Sequence, residues 1–205
     1  MLAAALLAFA SACGDDEEAR DAPAGEAPAA GTSSVPVEKL RDGGYVVTFR
    51  HAATDQGMDT TDDLSDCSRQ RNLDAEGRRQ SREIGRAFER LDIPVDRVMA
   101  SPFCRTRDTA QLAFGRVQRT RALLSVEFFD SVREGRRKGL RRLLRTEPRD
   151  GTNTVLVTHG SAILDAIGEE PEEGDAVIVE PGRGKRGYAV VSAVPVEDWR
   201  AARAE

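Results

Sequence analysis

Apolar runs of strand length alternate with helically spaced segments over residues 35–205. The run "YVVTF", for example, is mostly β-branched and aromatic, which suits the pleated surface of a buried strand. By the same criteria, strands are predicted at 44–50, 96–101, 153–158, 175–180 and 188–194. Helices are predicted after Asp74 as far as Leu91, at 104–114, 132–145 and 161–167, and in the tail after Pro195. The alternation predicts an α/β fold, a three-layer α/β/α sandwich around a mainly parallel central sheet.

Polar residues stand where three of the predicted strands end. These residues are Arg50 and His51 at the first strand, Ser101 at the second, and His159 and Gly160 at the third. Ligands in open α/β sheets bind beyond the carboxyl ends of the strands, so we expect a site there. The chain has 2 histidines in all, and both occupy such positions. Histidine suits nucleophilic and acid–base chemistry near neutral pH, although a hydrogen-bonded structural histidine is the ordinary alternative for either one alone.

The N-terminal residues predict export. Residues 1–13 form an apolar stretch too short to span a bilayer and typical of the hydrophobic region of a secretory signal. Its end, "FASAC", is similar to a bacterial lipobox, in which cleavage precedes a cysteine that is then lipidated. We therefore expect an extracytoplasmic, for instance periplasmic, protein held to a bacterial membrane by a lipid anchor at Cys13. A plain secretory signal is the alternative.

Residues 14–34 are acidic, rich in Ala, Pro and Gly, and contain no large apolar side chain. Such a segment cannot offset the entropy of ordering, so we expect a disordered tether before the domain at 35–205. Residues 1–34 hold 6 acids and 1 Arg, and the remainder therefore has 35 − 6 = 29 acids and 30 − 1 = 29 bases. A domain without net charge gives no indication of a nucleic-acid partner.

Two cysteines, Cys67 and Cys104, lie within the domain. If the chain is exported to an oxidising compartment, they are expected to form a disulfide. Two separate buried thiols are the alternative, and a cytoplasmic chain would favour it.

Four motifs together carry a family resemblance. In chain order they are "RHAAT" (50–54), "NLDAEGRRQSREIG" (72–85), "SPFCRTRDTA" (101–110) and "VLVTHGSAI" (155–163). They resemble the signatures of the histidine phosphatase superfamily, which has the phosphoglycerate-mutase-like fold. Ala52 stands where that family usually has Gly.

The resemblance implies a phosphatase that acts through a phosphohistidine. His51 would be the nucleophile, and Arg50 and Arg105 would bind phosphate with their planar forks of donors. His159 would stabilise the transferring group as a cation or as a hydrogen-bond donor.

The remaining positions of the motifs imply a complete phosphate pocket. Thr54, Ser101 and Gly160 would add contacts to the substrate. The implied substrate is a phosphorylated small molecule or a phosphoprotein. The resemblance implies no cofactor and no metal, and two histidines without an acid or thiol cluster fall short of common metal-ligand sets. The sequence does not indicate an oligomeric state.

The proton donor for the leaving group is less clearly marked. Glu127 lies among apolar neighbours that would raise the pKa of a carboxyl, which suits an acid, while Asp130 and Glu134 are nearby alternatives. Without an acid, the enzyme should favour good leaving groups such as acyl phosphates or phosphohistidine. The alternative function is a catalytically inactive lipoprotein that binds a phosphate ligand.

Overall fold

The structure of the chain is a computed structural model that describes residues 37–61, 63–125 and 133–202. The signal peptide with Cys13, the tether at 14–34 and Glu127 lie outside the described residues. They stay predictions from the sequence.

The described residues form a six-stranded sheet. Its strands are β1 (Val46–Arg50), β2 (Val95–Ala100), β3 (Gln118–Arg119), β4 (Asn153–Thr158), β5 (Ala176–Pro181) and β6 (Tyr188–Val194). Every predicted strand is present, with ends that differ from the prediction by two residues at most. The two-residue strand β3 was not predicted, because so short a segment has no periodicity to detect.

The helices follow the predicted pattern as well. They are α1 (Ala75–Arg90), α2 (Cys104–Phe114), α3 (Arg133–Arg145), α4 (Gly160–Ile167) and α5 (Val196–Ala201). The carboxylate of Asp74 caps α1 by accepting a hydrogen bond from the Gly77 amide at 2.7 Å, as its N-cap position predicts. Among the described helices, none has the length and apolar composition needed to cross a bilayer.

The sheet has the strand order β3-β2-β4-β1-β5-β6. The first four strands in this order are parallel to one another, whereas β5 is antiparallel to β1 and β6 to β5. The expected mainly parallel sheet is therefore confirmed. Because β1 and β4 are parallel neighbours, the two predicted histidine-bearing ends lie at the same edge of the sheet.

Helices cover both faces of the sheet, because successive side chains of each strand point to opposite faces. Val47 and Phe49 of β1 pack in the core that α1, α2 and α5 cover, together with Phe88 and Trp199. Val46 of the same strand packs in the second core, which α3 and α4 cover. The α/β/α sandwich is confirmed, and both cores support the strand ends that carry the predicted site.

Gly85 sets how closely α1 approaches α2. A Cβ at this position would lie 2.1 Å from the carbonyl oxygen of Ala113. We expect Gly85→Ala to lower the free energy of unfolding by about 1–3 kcal/mol through overpacking, which outweighs the gain of about 1 kcal/mol in helix propensity. Urea unfolding measures the change. Arg86→Ala on the exposed side of the same helix is the control, with an expected change within about 0.5 kcal/mol; equal effects of the two variants would contradict the prediction.

Candidate active site

Backbone hydrogen bonds bring the two histidines and Ser101 together. The amide of His51 donates to the carbonyl of Thr158 at 3.0 Å, and the amide of Ser101 donates to the carbonyl of Val157 at 3.0 Å. The three strand ends are thereby joined side by side. The ring centroids of His51 and His159 lie 5.6 Å apart at an interplanar angle of 68°, so the two imidazoles share one site as the sequence predicts.

The tautomer of His51 is set by the neighbouring carbonyl group. Nδ1 of the ring lies 3.0 Å from the carbonyl oxygen of Ala52. A carbonyl oxygen can only accept, so Nδ1 carries the proton and the neutral ring keeps a lone pair at Nε2. No described residue hydrogen-bonds to that Nε2. The ring therefore offers an unprotonated nitrogen to a ligand.

Both imidazoles are neutral at ordinary pH. Burial lowers the pKa of His51 from 6.5 to about 3, and the positive charges of Arg105, Arg50 and Arg71 act in the same direction, although the Ala52 carbonyl opposes them. Burial and the same arginines lower the pKa of His159 well below its usual value. The unfolded chain takes up protons first as the pH falls. The stability that these neutral rings contribute is therefore complete above about pH 6.5 and is lost as the pH falls toward the folded-state pKa values.

His159 is held by its neighbours on two sides. Its Nε2 lies 3.0 Å from the hydroxyl oxygen of Ser101, and its ring meets that of Phe103 edge-on, with centroids 5.0 Å apart. Ser101 therefore contacts the second histidine. The sequence predicted a contact between Ser101 and the substrate, and it gave no sign of this contact with His159.

Arg50 and Arg105 flank the rings. Arg50 donates from Nη1 to the carbonyl of Pro171 at 3.0 Å, and Gly160 leaves room for its guanidinium, since a Cβ there would lie 3.3 Å from Nη1. The guanidinium of Arg105 stacks 4.4 Å from the ring centroid of Phe103. The buried Nε atoms of both arginines have no hydrogen-bond partner among the described residues. Two guanidinium groups beside the unprotonated Nε2 of His51 are what an anion-binding pocket presents.

Three further charged residues complete the site, and sequence reasoning did not find them. Asp59 pairs with Arg105 at 3.0 Å. Arg71 supplies a third guanidinium, and its backbone carbonyl also accepts from Arg105 at 3.3 Å. Glu173 lies 3.6 Å from both Arg50 and Arg71. The hydroxyl of Thr54, predicted to contact a substrate, donates to Glu173 at 2.9 Å.

Other motif residues hold the turn after β1 in place. The amide of Ala52 donates to the hydroxyl of Thr109 at 3.1 Å, and the amide of Ala53 donates to the side chain of Gln80 at 2.9 Å. Gly77 lets α1 begin directly against this turn, because a Cβ there would lie 1.9 Å from the carbonyl oxygen of Ala53. The helices thus fix the backbone that orients His51.

The long loop over residues 52–72 is attached to α2. Cys67 and Cys104 form the disulfide predicted for an exported chain, with their Cα atoms 5.7 Å apart. Next to it, the Cys104 amide donates to the side chain of Gln70 at 2.9 Å. The disulfide therefore joins the loop that carries Asp59 and Arg71 to the helix that carries Arg105.

Comparison with known proteins gives a match to one family model and a fold. Residues 46–141 match the model of the Histidine phosphatase superfamily (branch 1). No curated protein matches the chain in sequence. A phosphoserine phosphatase mutant from Entamoeba histolytica, solved with phosphoserine, is similar with a TM-score of 0.53 and 15% identity, over 75% of this chain and 98% of that one.

Two further structures give the same result. The protein histidine phosphatase SixA, complexed with tungstate, has a TM-score of 0.52 and 13% identity, over 75% of this chain and 98% of that one. TTHB049 from Thermus thermophilus has a TM-score of 0.50 and 20% identity, over 74% of this chain and 99% of that one. At such identities the likeness concerns the fold, and it agrees with the phosphoglycerate-mutase-like architecture expected from the motifs.

Histidine NMR tests the protonation states directly, because the chain has 2 histidines in all. We expect both rings to stay neutral from about pH 8 down to about pH 5, since burial and the arginines disfavour the charged form. We also expect the ¹⁵N shifts of His51 to be those of the Nδ1–H tautomer. In urea, the unfolded chain is the control, and both rings should titrate near pH 6.5. A folded-state titration near that value would contradict the prediction.

Proposed function

We propose that this chain is a member of the histidine phosphatase superfamily and that it hydrolyses phosphate monoesters through a phosphohistidine intermediate on His51. The observation that carries the proposal is the hydrogen bond between Nδ1 of His51 and the Ala52 carbonyl. It keeps the ring proton away from Nε2 and so supports Nε2 as the attacking atom. The family match includes this residue and Arg105.

The proposed reaction has two steps. In the first, the Nε2 lone pair forms a bond to phosphorus while the bond between phosphorus and the ester oxygen breaks. The alcohol leaves with that electron pair and takes a proton from an acid or from water. In the second, a water oxygen attacks phosphorus, the electrons of the N–P bond return to Nε2, and the water loses a proton. Inorganic phosphate and neutral His51 result.

The cations and His159 would stabilise the transferring group. Phosphoryl transfer depends on positioning and on compensating the charge of the equatorial oxygens. Arg50 and Arg105, whose positive charges act on His51, suit that purpose. His159 is neutral, so we assign it as a donor rather than as a cation. If the Ser101 hydroxyl donates to its Nε2, Nδ1–H is left to donate to a phosphate oxygen.

For the substrate we propose a phosphorylated small molecule or a phosphoprotein. The fold relatives include a phosphoserine phosphatase and a protein histidine phosphatase, which supports this class. Glu127 remains the proposed proton donor to the leaving alcohol. Should it not serve, substrates with good leaving groups would be preferred.

We propose further that the domain works outside the cytoplasm, anchored through Cys13. The disulfide between Cys67 and Cys104 supports an oxidising compartment. The apolar residues at 1–13 and the lipobox-like "FASAC" supply the corresponding signal.

Hydrolysis of p-nitrophenyl phosphate tests the activity, because its leaving group needs no proton donor. We expect turnover by the wild-type domain and a loss of roughly a thousandfold or more in kcat for His51→Ala, since this change removes the proposed nucleophile. Arg86→Ala is the control for expression and folding, with unchanged turnover. Rapid quenching into alkali, followed by peptide mapping, should find the phosphoryl group on His51.

Two results would contradict the proposal. Wild-type protein that binds phosphate but turns over no phosphomonoester would favour the alternative of an inactive binding lipoprotein. Full activity in His51→Ala would exclude the phosphohistidine route.

A further inference from the structure

Glu173 joins parts of the site that are distant in the sequence. It lies in the connection between α4 and β5, and its Oε2 accepts a hydrogen bond from the amide of Thr54 at 3.0 Å, while Oε1 accepts from the Thr54 hydroxyl at 2.9 Å. Both bonds orient the carboxylate on the turn that follows His51. None of the sequence motifs includes this residue.

The same carboxylate is surrounded by positive charge. Its Oε1 lies 3.6 Å from Nη2 of Arg50 and 3.6 Å from Nη2 of Arg71. The Glu173 side chain is 24% exposed, so water screens these contacts only in part. Glu173 therefore offsets a share of the field that the arginines create around the nucleophile.

Glu173 also contacts His51, on the side of Nδ1. Its Oε1 lies 3.9 Å from that nitrogen, which already donates to the Ala52 carbonyl at 3.0 Å. The contact is consequently one of charge and not a hydrogen bond, and it leaves Nε2 free to react. In the free protein the electrostatic attraction between the Glu173 carboxylate and the His51 ring is weak, because the ring is neutral.

The situation changes when Nε2 bonds to phosphorus. The ring then keeps its Nδ1 proton and carries a positive charge in a buried site. The charged and titratable groups that face it are Arg50, Arg71, Arg105, His159 and Glu173, with Asp59 paired to Arg105. Among these described residues, Glu173 is the one carboxylate within 4 Å of the ring.

We propose that Glu173 is a positioning residue for the nucleophile: it fixes the turn through Thr54 and stabilises the positive charge that the His51 ring acquires on phosphorylation. The inference rests on the proposed phosphohistidine mechanism. The charge exists only in the phosphorylated state and in the transition states on either side of it. The stabilisation by Glu173 therefore raises the rate of turnover and adds nothing favourable to substrate binding.

The same geometry predicts an opposite effect on anion binding. A carboxylate beside Arg50 and Arg71 repels a phosphate that those arginines attract. Removing its charge should strengthen phosphate binding while slowing turnover. A residue that merely supported the pocket would weaken both, so the two effects in opposite directions distinguish the roles.

Glu173→Gln tests the proposal in the full-length or signal-free chain. Glutamine has the same shape, can accept from the Thr54 amide and can donate to the Thr54 hydroxyl, so the turn keeps its contacts. We expect kcat for p-nitrophenyl phosphate to fall roughly 10- to 100-fold, and the inhibition constant of inorganic phosphate to fall as well. Glu172→Gln, the same charge change at the exposed neighbouring position, is the control and should leave both values unchanged.

The pH dependence of phosphoenzyme hydrolysis gives an independent readout. A phosphorylated ring that keeps its Nδ1 proton is the better leaving group, so hydrolysis slows as the pH rises through the pKa of that proton. Glu173 raises this pKa by favouring the cation. In Glu173→Gln the alkaline limb should therefore shift to lower pH. Glu173→Asp retains the charge and should restore part of the wild-type position and rate, even if its thermal midpoint is reduced.

The outcomes separate this inference from the proposed function. Wild-type turnover through phosphohistidine, with Glu173→Gln unchanged in kcat, phosphate inhibition and alkaline limb, would overturn the role of Glu173 alone. A rise in the inhibition constant of phosphate together with a lower kcat would also overturn it, in favour of a structural role. Wild-type protein without turnover or phosphohistidine would overturn the proposed function, and this inference with it.

Discussion

The parallel register between β1 and β4 decides whether the functional groups meet. Arg50 pairs with Thr158, so His51 and His159 leave the sheet side by side. A slip of two residues would keep the same side chains on each face, but it would displace one histidine by roughly 6.6 Å along the strands. That displacement exceeds the present centroid distance of 5.6 Å. The apolar side chains that fix the register in the two cores are consequently as necessary to the site as the imidazoles themselves.

The arginines of this site carry its positive charge, whereas its buried histidines are neutral. Arginine stays protonated in proteins, so Arg50, Arg71 and Arg105 maintain a positive field at any physiological pH. Burial lowers the pKa of the histidines, so the rings are neutral and the nucleophile keeps an available lone pair. Phe103 supports both types, since it stacks on the Arg105 guanidinium and meets the His159 ring at its edge.

Local sequence patterns predicted the strands, the helices and the residues at their ends. The β-branched runs that end at His51 and His159 identify their strands, and Asp74 identifies the start of α1. Glu173 could not be chosen from Glu169, Glu170 and Glu172, because all four lie in one acidic segment with the same local pattern. The direction of β5 relative to β1 places Glu173 near His51. Since β5 runs antiparallel to β1, with Phe49 opposite Ala176, residues just before β5 lie at the end of β1. Arg71 and Asp59 were missed for a similar reason, since only the path of the long loop brings them back to Arg105.

The cross-link between Cys67 and Cys104 has a consequence for how this site can open. Segments with few large apolar side chains, such as the loop over residues 52–72, are among the first to open transiently in folded proteins. Here the loop is covalently fastened next to Arg105, and Thr54 and Leu73 bridge its two ends. The exposed side chain of Met58 can therefore move while the disulfide and the contacts of Asp59 keep Arg71 near the helix that bears Arg105. The covalent link therefore keeps Arg71 and Arg105 close together independently of the noncovalent contacts of the loop.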